Sequence, residues 1–304
     1  LMKFIAQRAV KEYPGLAAVD IVGFVDEFGT TIMQEMDYLN EASNAFRFAE
    51  MFREIPYCKI PKVYMDISTK KILILEYVDG FKPEQLNEMK AAGLDPKIVA
   101  ENGTHILLKM ILQHGFFQAD PHPGNFFIQG NNRLALVDFG MVGVLKPAHM
   151  NFLANFAIGM ASMNASIVTG ALLAICEKKF YHDRTDLEFS IQEMLNRYGY
   201  LPYEKMDFSL MLNECVQIML KYQLRLPSSI YLLLKSLATI EKFGYNLDPD
   251  ISLPTLIQPY AEELVKQKFS VKAIANGLYD TVKDYADFIR DFPGEVNQIL
   301  YRIK

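Results

Sequence analysis

The chain has 304 residues, 51% hydrophobic and 22% charged, a composition typical of a globular protein with a large core. Its net charge of −5 and pI near 5.6 indicate no general affinity for nucleic acid. The three cysteines are widely spaced and form no CxxC pair, which argues against a disulfide framework and favours a reducing compartment. No apolar run reaches the roughly 18 residues of a membrane-spanning helix.

The first quarter of the chain contains an amphipathic segment and predicts one long helix followed by two strands. Residues 1–12 form a short basic amphipathic segment. The apolar spacing over residues 19–52 predicts one long helix with a break near Gly29. Residues 57–66 and 71–78 are rich in aliphatic side chains and predict a pair of strands.

The middle of the chain predicts a helix, a loop and a short strand, and the remainder is helical. Residues 84–115 predict a helix in two pieces, split at Gly93–Pro96. The stretch FQADPHPGN (117–125) has two prolines and a glycine and is therefore a loop. The apolar run in LALVDFG predicts a short strand, and the DFG motif lies at the end of that strand. From about residue 148 to 304 the pattern predicts helices separated by prolines and by the turn LDPD.

Three polar residues of this loop and strand end have the spacing of a phosphoryl-transfer site. Asn125 follows Asp120 by five residues, and Asp138 follows Asn125 by thirteen. In kinases, a loop Asp acts on the acceptor, an Asn five residues on contacts a metal, and the DFG Asp holds Mg²⁺. We therefore predict Asp120 as the catalytic residue and Asn125 and Asp138 as Mg²⁺ ligands, with ATP as the cofactor. The alternative for each is a turn cap.

The second predicted strand lies where a kinase carries the segment that binds adenine. Leu75 would lie at the back of the nucleotide pocket. The backbone of Glu76, Tyr77 and Val78 would form the hinge that pairs with adenine. Without the loop that follows, the same stretch would be an ordinary core strand.

Acidic residues of the long predicted helix are candidates for a structural or regulatory role. Asp37 and Glu41 are four residues apart and lie on one face, whereas Glu35 points about 120° away. In kinases, a Glu of this helix pairs with the phosphate-binding Lys of the third strand, and Glu41 suits that role. The alternative is that all three are solvated charges.

Taken together, these stretches resemble the UbiB/AarF atypical kinase family, which is linked to ubiquinone biosynthesis and related isoprenoid-lipid functions. The resemblance implies an α+β, protein-kinase-like fold with a partial N-lobe and a large, mostly α-helical C-lobe. It places the N-lobe remnant, a helix plus a strand pair, in residues 1–78 and the C-lobe in residues 79–304. The matching stretches are EMDYLNEASN (35–44), LEYVDG (75–80), FFQADPHPGNFFI (116–128), LVDFGMVG (136–143), RLPSSIYLLLKSL (225–237) and LDPD (247–250).

The resemblance also implies roles for individual residues. The family's E-x-D signature falls on Glu35 and Asp37 and its helix Glu on Glu41, while the loop and metal residues fall on Asp120, Asn125 and Asp138. In this family, a K-x-G-Q segment folds over the site and disfavours ordinary protein-kinase activity, which leaves an ATPase or small-molecule kinase. This sequence lacks K-x-G-Q, the Ala-rich loop and the third-strand VAxK. We expect a chain truncated at both ends that binds ATP poorly by itself.

The implied activity is that of a Mg²⁺-ATP-dependent kinase or ATPase supporting isoprenoid-quinone or related membrane-lipid metabolism. The expected partners are a nucleotide, isoprenoid lipid or quinone-biosynthesis proteins and a membrane surface, but not nucleic acid. The full-length parent is expected in the cytoplasm, peripheral to or anchored at the inner membrane. Residues 275–304 are amphipathic and predict a helix packed on its own domain rather than on a membrane.

Two other functions stay open. Aminoglycoside- and choline-type phosphotransferases also combine a DPHPGN-like loop with a DFG-like motif, although the E-x-D helix and the RLP…LDPD tail argue against them. A non-catalytic, lipid-binding scaffold with a degenerate kinase site is the second alternative, which the intact Asp120, Asn125 and Asp138 oppose. His122, between two prolines, is expected to cap its turn rather than to act as a general acid.

Overall fold

The computed structural model describes residues 2–12, 25, 37–176, 178–179, 183–198 and 207–268. The helices are α1 (Met2–Glu12), α2 (Tyr38–Met51), α3 (Leu86–Ala91), α4 (Pro96–Leu108), α5 (Pro147–Ala161), α6 (Ala165–Ile175), α7 (Arg184–Tyr198), α8 (Phe208–Lys221), α9 (Ser228–Leu247) and α10 (Leu253–Lys268). The strands are β1 (Cys58–Lys59), β2 (Phe116–Gln118), β3 (Phe126–Gln129), β4 (Arg133–Leu136), β5 (Val142–Val144), β6 (Lys178–Lys179) and β7 (Leu224–Arg225).

Two small sheets bring the predicted loop and the DFG motif together. The strands β3 and β4 form an antiparallel hairpin, in which Phe126 pairs with Leu136, and β1 runs parallel to β4 on its other side. The strands β2 and β5 form a second antiparallel pair, in which Gln118 lies opposite Val142. Because the loop leaves β2 and enters β3, while DFG leaves β4 and enters β5, both segments lie at the same ends of the two sheets.

The helical region packs on this pair of sheets through α4 and α9. Gly103 of α4 lets the Phe243 ring of α9 approach closely, since an added Cβ would lie 2.4 Å from Cε1 of that ring. On its other side the Phe243 ring meets Phe126 of β3 edge-on, with centroids 5.0 Å apart. Both phenylalanines are fully buried. The strand that follows the loop is therefore held directly by the helical core.

The predicted helix over residues 19–52 is wrong in its length. The described helix, α2, begins at Tyr38, and Asp37 precedes it with φ −106° and ψ 92°, outside helical geometry. The Asp37 side chain accepts a hydrogen bond from the Leu39 amide at 3.1 Å, which is the usual role of an N-cap aspartate. A break therefore lies at Asp37. The predicted break at Gly29 and the residue Glu35 lie outside the described residues.

The predicted strand pair is present only as a loose antiparallel loop. Residues 57–66 contribute β1, and residues 71–78 form no strand, although Val63 bridges to Leu75. The Glu76 amide donates to the Lys62 carbonyl at 2.8 Å, so the two segments do lie side by side. A short 3-10 turn, Met65–Ile67, interrupts the pairing. Strand propensity alone did not predict this interruption, because a ladder also needs matching partners along its whole length.

The other sequence predictions can be compared element by element. The split helix over residues 84–115 is confirmed as α3 and α4, and α4 continues in a π-helical turn to Gln113. The described residues between 148 and 268 confirm the predicted helical region, with the unpredicted β6–β7 pair inserted. The segment 275–304 lies outside the described residues. Within the described ranges, no helix is long and apolar enough to cross a membrane.

The contact between Gly103 and Phe243 generates a stability prediction. Gly103→Ala should lower the free energy of unfolding by about 1–3 kcal/mol, because the new methyl group has to displace a buried ring. Gly170 is the matched control, since an added Cβ there meets nothing within 4 Å. Gly170→Ala should be neutral or stabilising by up to about 1 kcal/mol. Chemical denaturation measures both, and equal effects at the two sites would contradict the packing described.

Candidate active site

The loop between β2 and β3 is held rigidly by its own hydrogen bonds. The Ala119 amide donates to the Met141 carbonyl at 3.0 Å, and the His122 amide donates to the Asp120 carbonyl at 2.7 Å. The His122 Nδ1 accepts from the Gly124 amide at 3.0 Å, which is the turn-cap role expected for this histidine. These bonds keep the Asp120 side chain on a fixed backbone. That carboxylate is about half exposed.

Asp138 and Asn125 meet directly, as their spacing predicts. The Asn125 Nδ2 donates to Asp138 Oδ2 at 2.8 Å, and the Gly140 amide donates to Asp138 Oδ1 at 3.0 Å. The backbone of the two segments is also joined, because the Val137 amide donates to the Asn125 carbonyl at 3.1 Å. The structure therefore brings a carboxylate and a carboxamide into one cluster at the ends of β3 and β4.

The donor atoms of this cluster suit a hard cation shared with a phosphate. Asp138 offers carboxylate oxygens and Asn125 a carboxamide oxygen, the ligand types that Mg²⁺ prefers. Among the described residues there is no group of three or more His, Cys, Asp or Glu side chains that could hold a metal. A complete cage of protein ligands is therefore not what these residues form. They fit an ion that takes one or two protein ligands and completes its shell with phosphate oxygens and water.

The helix α2 contacts the DFG motif through two polar side chains. Glu41 Oε1 accepts from the Phe139 amide at 3.2 Å, and Asn44 Nδ2 donates to the Phe139 carbonyl at 2.8 Å. The Phe139 ring packs against Phe48 of the same helix, with centroids 5.5 Å apart. Glu41 therefore lies against the DFG motif, while its predicted pairing with a phosphate-binding Lys stays a prediction. The partner that the structure shows for Oε1 is the backbone of the DFG motif.

Asp37 does not share a helix face with Glu41, contrary to the sequence prediction. It caps α2 from outside the helix, because its backbone is extended. Its Oδ2 lies 3.4 Å from Lys70 Nζ, a pair in which the lysine is largely exposed. An ion pair of this kind contributes little to stability. The described contacts of Asp37 are thus those of a cap and a surface pair.

The chain directly after the predicted hinge pairs with strand β3. Phe81 exchanges two backbone hydrogen bonds with Ile128 of β3, at 2.9 and 2.8 Å. Gly80 is required here, since an added Cβ would lie 2.7 Å from the Ile128 carbonyl oxygen. Of the four predicted nucleotide-binding residues, Val78 is buried, Leu75 and Glu76 are partly buried, and Tyr77 is 87% exposed.

The Glu76 carboxylate forms hydrogen bonds with neighbouring residues of the fold. Lys59 Nζ lies 2.7 Å from both of its oxygens, and the Lys62 amide donates to Oε2 at 3.0 Å. These bonds, first that from Lys59 and then that from Lys62, hold the pKa of Glu76 below its usual value of 4.5. The side chain thereby ties β1 to the hinge. The hinge prediction concerned the backbone of this residue, so the two roles are compatible.

Four residues at the site were not singled out from the sequence. Asn44 and Gln118 hold the DFG backbone, since Gln118 Nε2 donates to the Asp138 carbonyl at 2.7 Å. The buried Ser236 hydroxyl of α9 lies 3.1 Å from the Gln118 carbonyl oxygen and 3.2 Å from that of Ala119. Lys235 Nζ of the same helix lies 3.3 Å from Asp120 Oδ1. A polar pair within the apolar run LLLKSL was the available signal.

Two family models match this chain. The ABC1 atypical kinase-like domain matches residues 1–171, and the UbiB helical domain matches residues 191–252. The chain belongs to the ABC1 atypical kinase-like family. The predicted resemblance to UbiB/AarF proteins is therefore confirmed.

The ABC1 family chain has relatives in cyanobacteria and plants. It is 33% identical to an uncharacterized protein of Synechocystis over 263 residues. The aligned region covers 86% of this chain and 46% of the relative. It is 33% identical over 268 residues to ACTIVITY OF BC1 COMPLEX KINASE 7, a chloroplastic protein of Arabidopsis thaliana, covering 88% of this chain and 38% of the relative. The chain thus spans less than half the length of these two relatives.

A solved structure supports the fold of this ABC1 chain. The Rv3197–erythromycin complex from Mycobacterium tuberculosis superposes with a TM-score of 0.51, at 21% identity, over 79% of this chain and 61% of the other. The α+β, kinase-like fold predicted from the sequence is confirmed. At this identity the likeness concerns the fold and not the ligand.

The contacts of Ser236 generate a prediction about the loop. Ser236→Ala should lower the free energy of unfolding by about 1–2 kcal/mol, because it removes the hydroxyl between two buried loop carbonyls. Thr239→Ala is the control on the same helix, since that hydroxyl bonds to its own helix at the Lys235 carbonyl. Urea denaturation compares the two variants. A loss at Thr239 as large as that at Ser236 would contradict a loop-anchoring role.

The Glu76–Lys59 pair generates a pH prediction. A carboxyl whose pKa is lower in the folded protein stabilises the fold above its usual pKa and loses that contribution as the pH falls through the folded value. Glu76→Gln should therefore lower the melting temperature at neutral pH, and the difference from the parent should shrink below pH 4.5. The exposed Glu84 provides the control variant Glu84→Gln. A difference that stays constant with pH would rule out the ion pair as its cause.

Proposed function

We propose that this chain carries the metal-binding and catalytic half of a Mg²⁺-ATP-dependent phosphotransferase or ATPase. The observation that carries the proposal is the cluster of Asp138 and Asn125, in which Asn125 donates to Asp138 at 2.8 Å, at the end of the loop that also carries Asp120. Phosphoryl transfer requires from a protein mainly positioning and charge stabilisation, and these residues can provide both. The family supports a kinase-like function in general terms.

Each residue of the cluster and of its surroundings has a role in the proposal. Asp138 and Asn125 would hold Mg²⁺, which when bound neutralises charge on the phosphates. Asp120 lies on the rigid loop with its carboxylate half exposed, so it can orient an acceptor hydroxyl or water and accept its proton. Glu41 and Asn44 keep the Phe139 peptide in place, which fixes the direction of the Asp138 side chain.

The hinge would supply the adenine contacts. We assign them to the Glu76 carbonyl and the Val78 backbone, because the Glu76 amide already donates to the Lys62 carbonyl. Leu75 is partly buried against the core and would form the back of the pocket. Residues 1–78 would then act as the N-lobe part of the site and residues 79–304 as the part that carries the loop and DFG.

We further propose that the acceptor belongs to isoprenoid-quinone or related membrane-lipid metabolism, and that the parent protein works at a membrane surface. This part rests on the UbiB/AarF resemblance. No contact in the described residues selects the acceptor, so water, a small alcohol and a lipid are distinguished by experiment. A non-catalytic scaffold is the outcome if nucleotide is not bound at all.

The deciding experiment is a thermal-shift titration with Mg²⁺-ADP and Mg²⁺-ATP, on this chain and on the whole natural protein that contains it. A nucleotide at 100 times its Kd should stabilise a folded binder by about 2.7 kcal/mol. Asp138→Asn should abolish the magnesium-dependent part of the shift. The same variant should keep its fold, since an asparagine can still accept from the Gly140 amide.

Asp95→Asn is the matched control for that variant. Asp95 caps α4 and accepts from the Lys97 amide two residues on, as Asp138 accepts from the Gly140 amide. Both variants remove one negative charge and retain a local hydrogen bond, but only one alters the proposed metal site. If this chain and the whole protein are both folded and neither shows a magnesium-dependent shift, the nucleotide site is refuted and the scaffold is favoured. Equal loss in both variants would refute the role of Asp138.

A further inference from the structure

The loop that carries Asp120 holds no Lys or Arg of its own. Residues 119–125 read ADPHPGN, and the Nδ1 of His122 is used by the Gly124 amide. A phosphoryl group in transfer carries negative charge on its equatorial oxygens, and cationic groups placed beside it stabilise that charge. A cation for the acceptor side of the site therefore has to come from another element.

Lys235 of α9 reaches this position. Its Nζ lies 3.3 Å from Asp120 Oδ1, and both side chains are about half exposed. The neighbouring Ser236 is buried and bonds to the carbonyls of Gln118 and Ala119, directly before Asp120. The backbone from which Lys235 extends is thus fixed relative to the catalytic loop. The stem of the lysine is flexible, so its ammonium group can move within the site.

Two other lysines near the site already have partners in the fold. Lys82 Nζ donates to the Gly124 carbonyl at 2.6 Å and lies 3.4 Å from the centroid of the Phe127 ring. Desolvation lowers the pKa of Lys82, and the nearby Glu84 opposes that effect. Lys59 is bound to both oxygens of Glu76. Lys235 differs because its contact is with the predicted catalytic carboxylate itself.

Breaking the ion pair between Lys235 and Asp120 requires little free energy. Half-exposed ion pairs contribute little to stability, because water solvates both charges nearly as well. An incoming phosphate, with more negative charge than one carboxylate, competes effectively for the ammonium group. When Lys235 moves to the phosphate, the Asp120 carboxylate becomes available to the acceptor hydroxyl.

We propose that Lys235 is a catalytic residue that binds the transferring phosphoryl group, supplied to the loop by α9. In that step the bond from the γ-phosphorus to the bridging oxygen of ADP breaks, and a bond to the acceptor oxygen forms. The acceptor proton passes to Asp120, and ADP leaves with the electron pair of the broken bond. Lys235 keeps its protons throughout and stabilises charge on the phosphoryl oxygens. The proposal rests on the function proposed above.

The test compares Lys235→Met, Lys235→Arg and the control Lys242→Met in the whole natural protein. Lys242 is exposed on the same helix, about two turns further on. Readouts are ATP turnover, the melting temperature, and the affinities for Mg²⁺-ADP alone and with aluminium fluoride, which imitates the transferring phosphoryl group.

Lys235→Met should lower kcat about 10²- to 10³-fold and weaken the aluminium fluoride complex by a similar factor. Its affinity for Mg²⁺-ADP should stay within about twofold of the parent, since ADP lacks the phosphoryl group that Lys235 contacts. Lys235→Arg, which keeps the charge, should retain at least about a tenth of the activity, and Lys242→Met should behave as the parent does.

Two kinds of result would overturn the assignment. If the parent binds nucleotide but Lys235→Met keeps kcat and the aluminium fluoride affinity within about threefold, Lys235 does not contact the phosphoryl group. A parallel loss of ADP affinity and melting temperature would instead show a structural role. A parent protein that binds neither complex would refute the proposed function, and this inference with it. If the parent shows no ATP turnover, the aluminium fluoride affinities of the parent and of Lys235→Met still test the assignment.

Discussion

The site depends on how the backbone of Asp138 and Phe139 is held. Asn125 and the Gly140 amide bond to the Asp138 carboxylate, Gln118 bonds to its carbonyl, and Glu41 and Asn44 bond to the Phe139 peptide. Apart from the Gly140 amide, these partners come from the loop, from β2 and from α2, so three elements meet on two residues. Polar groups buried without partners are costly, and these hydrogen bonds stabilise the observed conformation of the DFG segment.

The helical region holds the other half of the site. The aromatic contact from Phe243 to Phe126 and the hydrogen bonds from Ser236 to the loop carbonyls attach α9 to both ends of the loop. The same helix carries Lys235 to Asp120. Functional loops are usually positioned by a rigid scaffold, and the scaffold of this loop is helix α9 as much as the small sheets.

Sequence reasoning anticipated the contact between Asn125 and Asp138, which is local along the chain. Asp120, Asn125 and Asp138 lie on one loop and one hairpin, so their spacing along the chain nearly determines their spacing in space. It failed at Asp37, because apolar periodicity continues smoothly through a residue that caps the helix rather than belonging to it. It also overestimated the strand pair before the hinge, where a 3-10 turn replaces part of the ladder.

The sequence by itself determined the family and the α+β kinase-like class, because motif spacing and composition are properties of the chain alone. Only the tertiary structure decided that Glu41 accepts a hydrogen bond from the Phe139 amide. It also decided that Lys235 and Ser236 of α9 contact the loop. These residues lie about 100 positions from their partners. Periodicity shows which face of a helix is buried, but packing alone selects what that face meets.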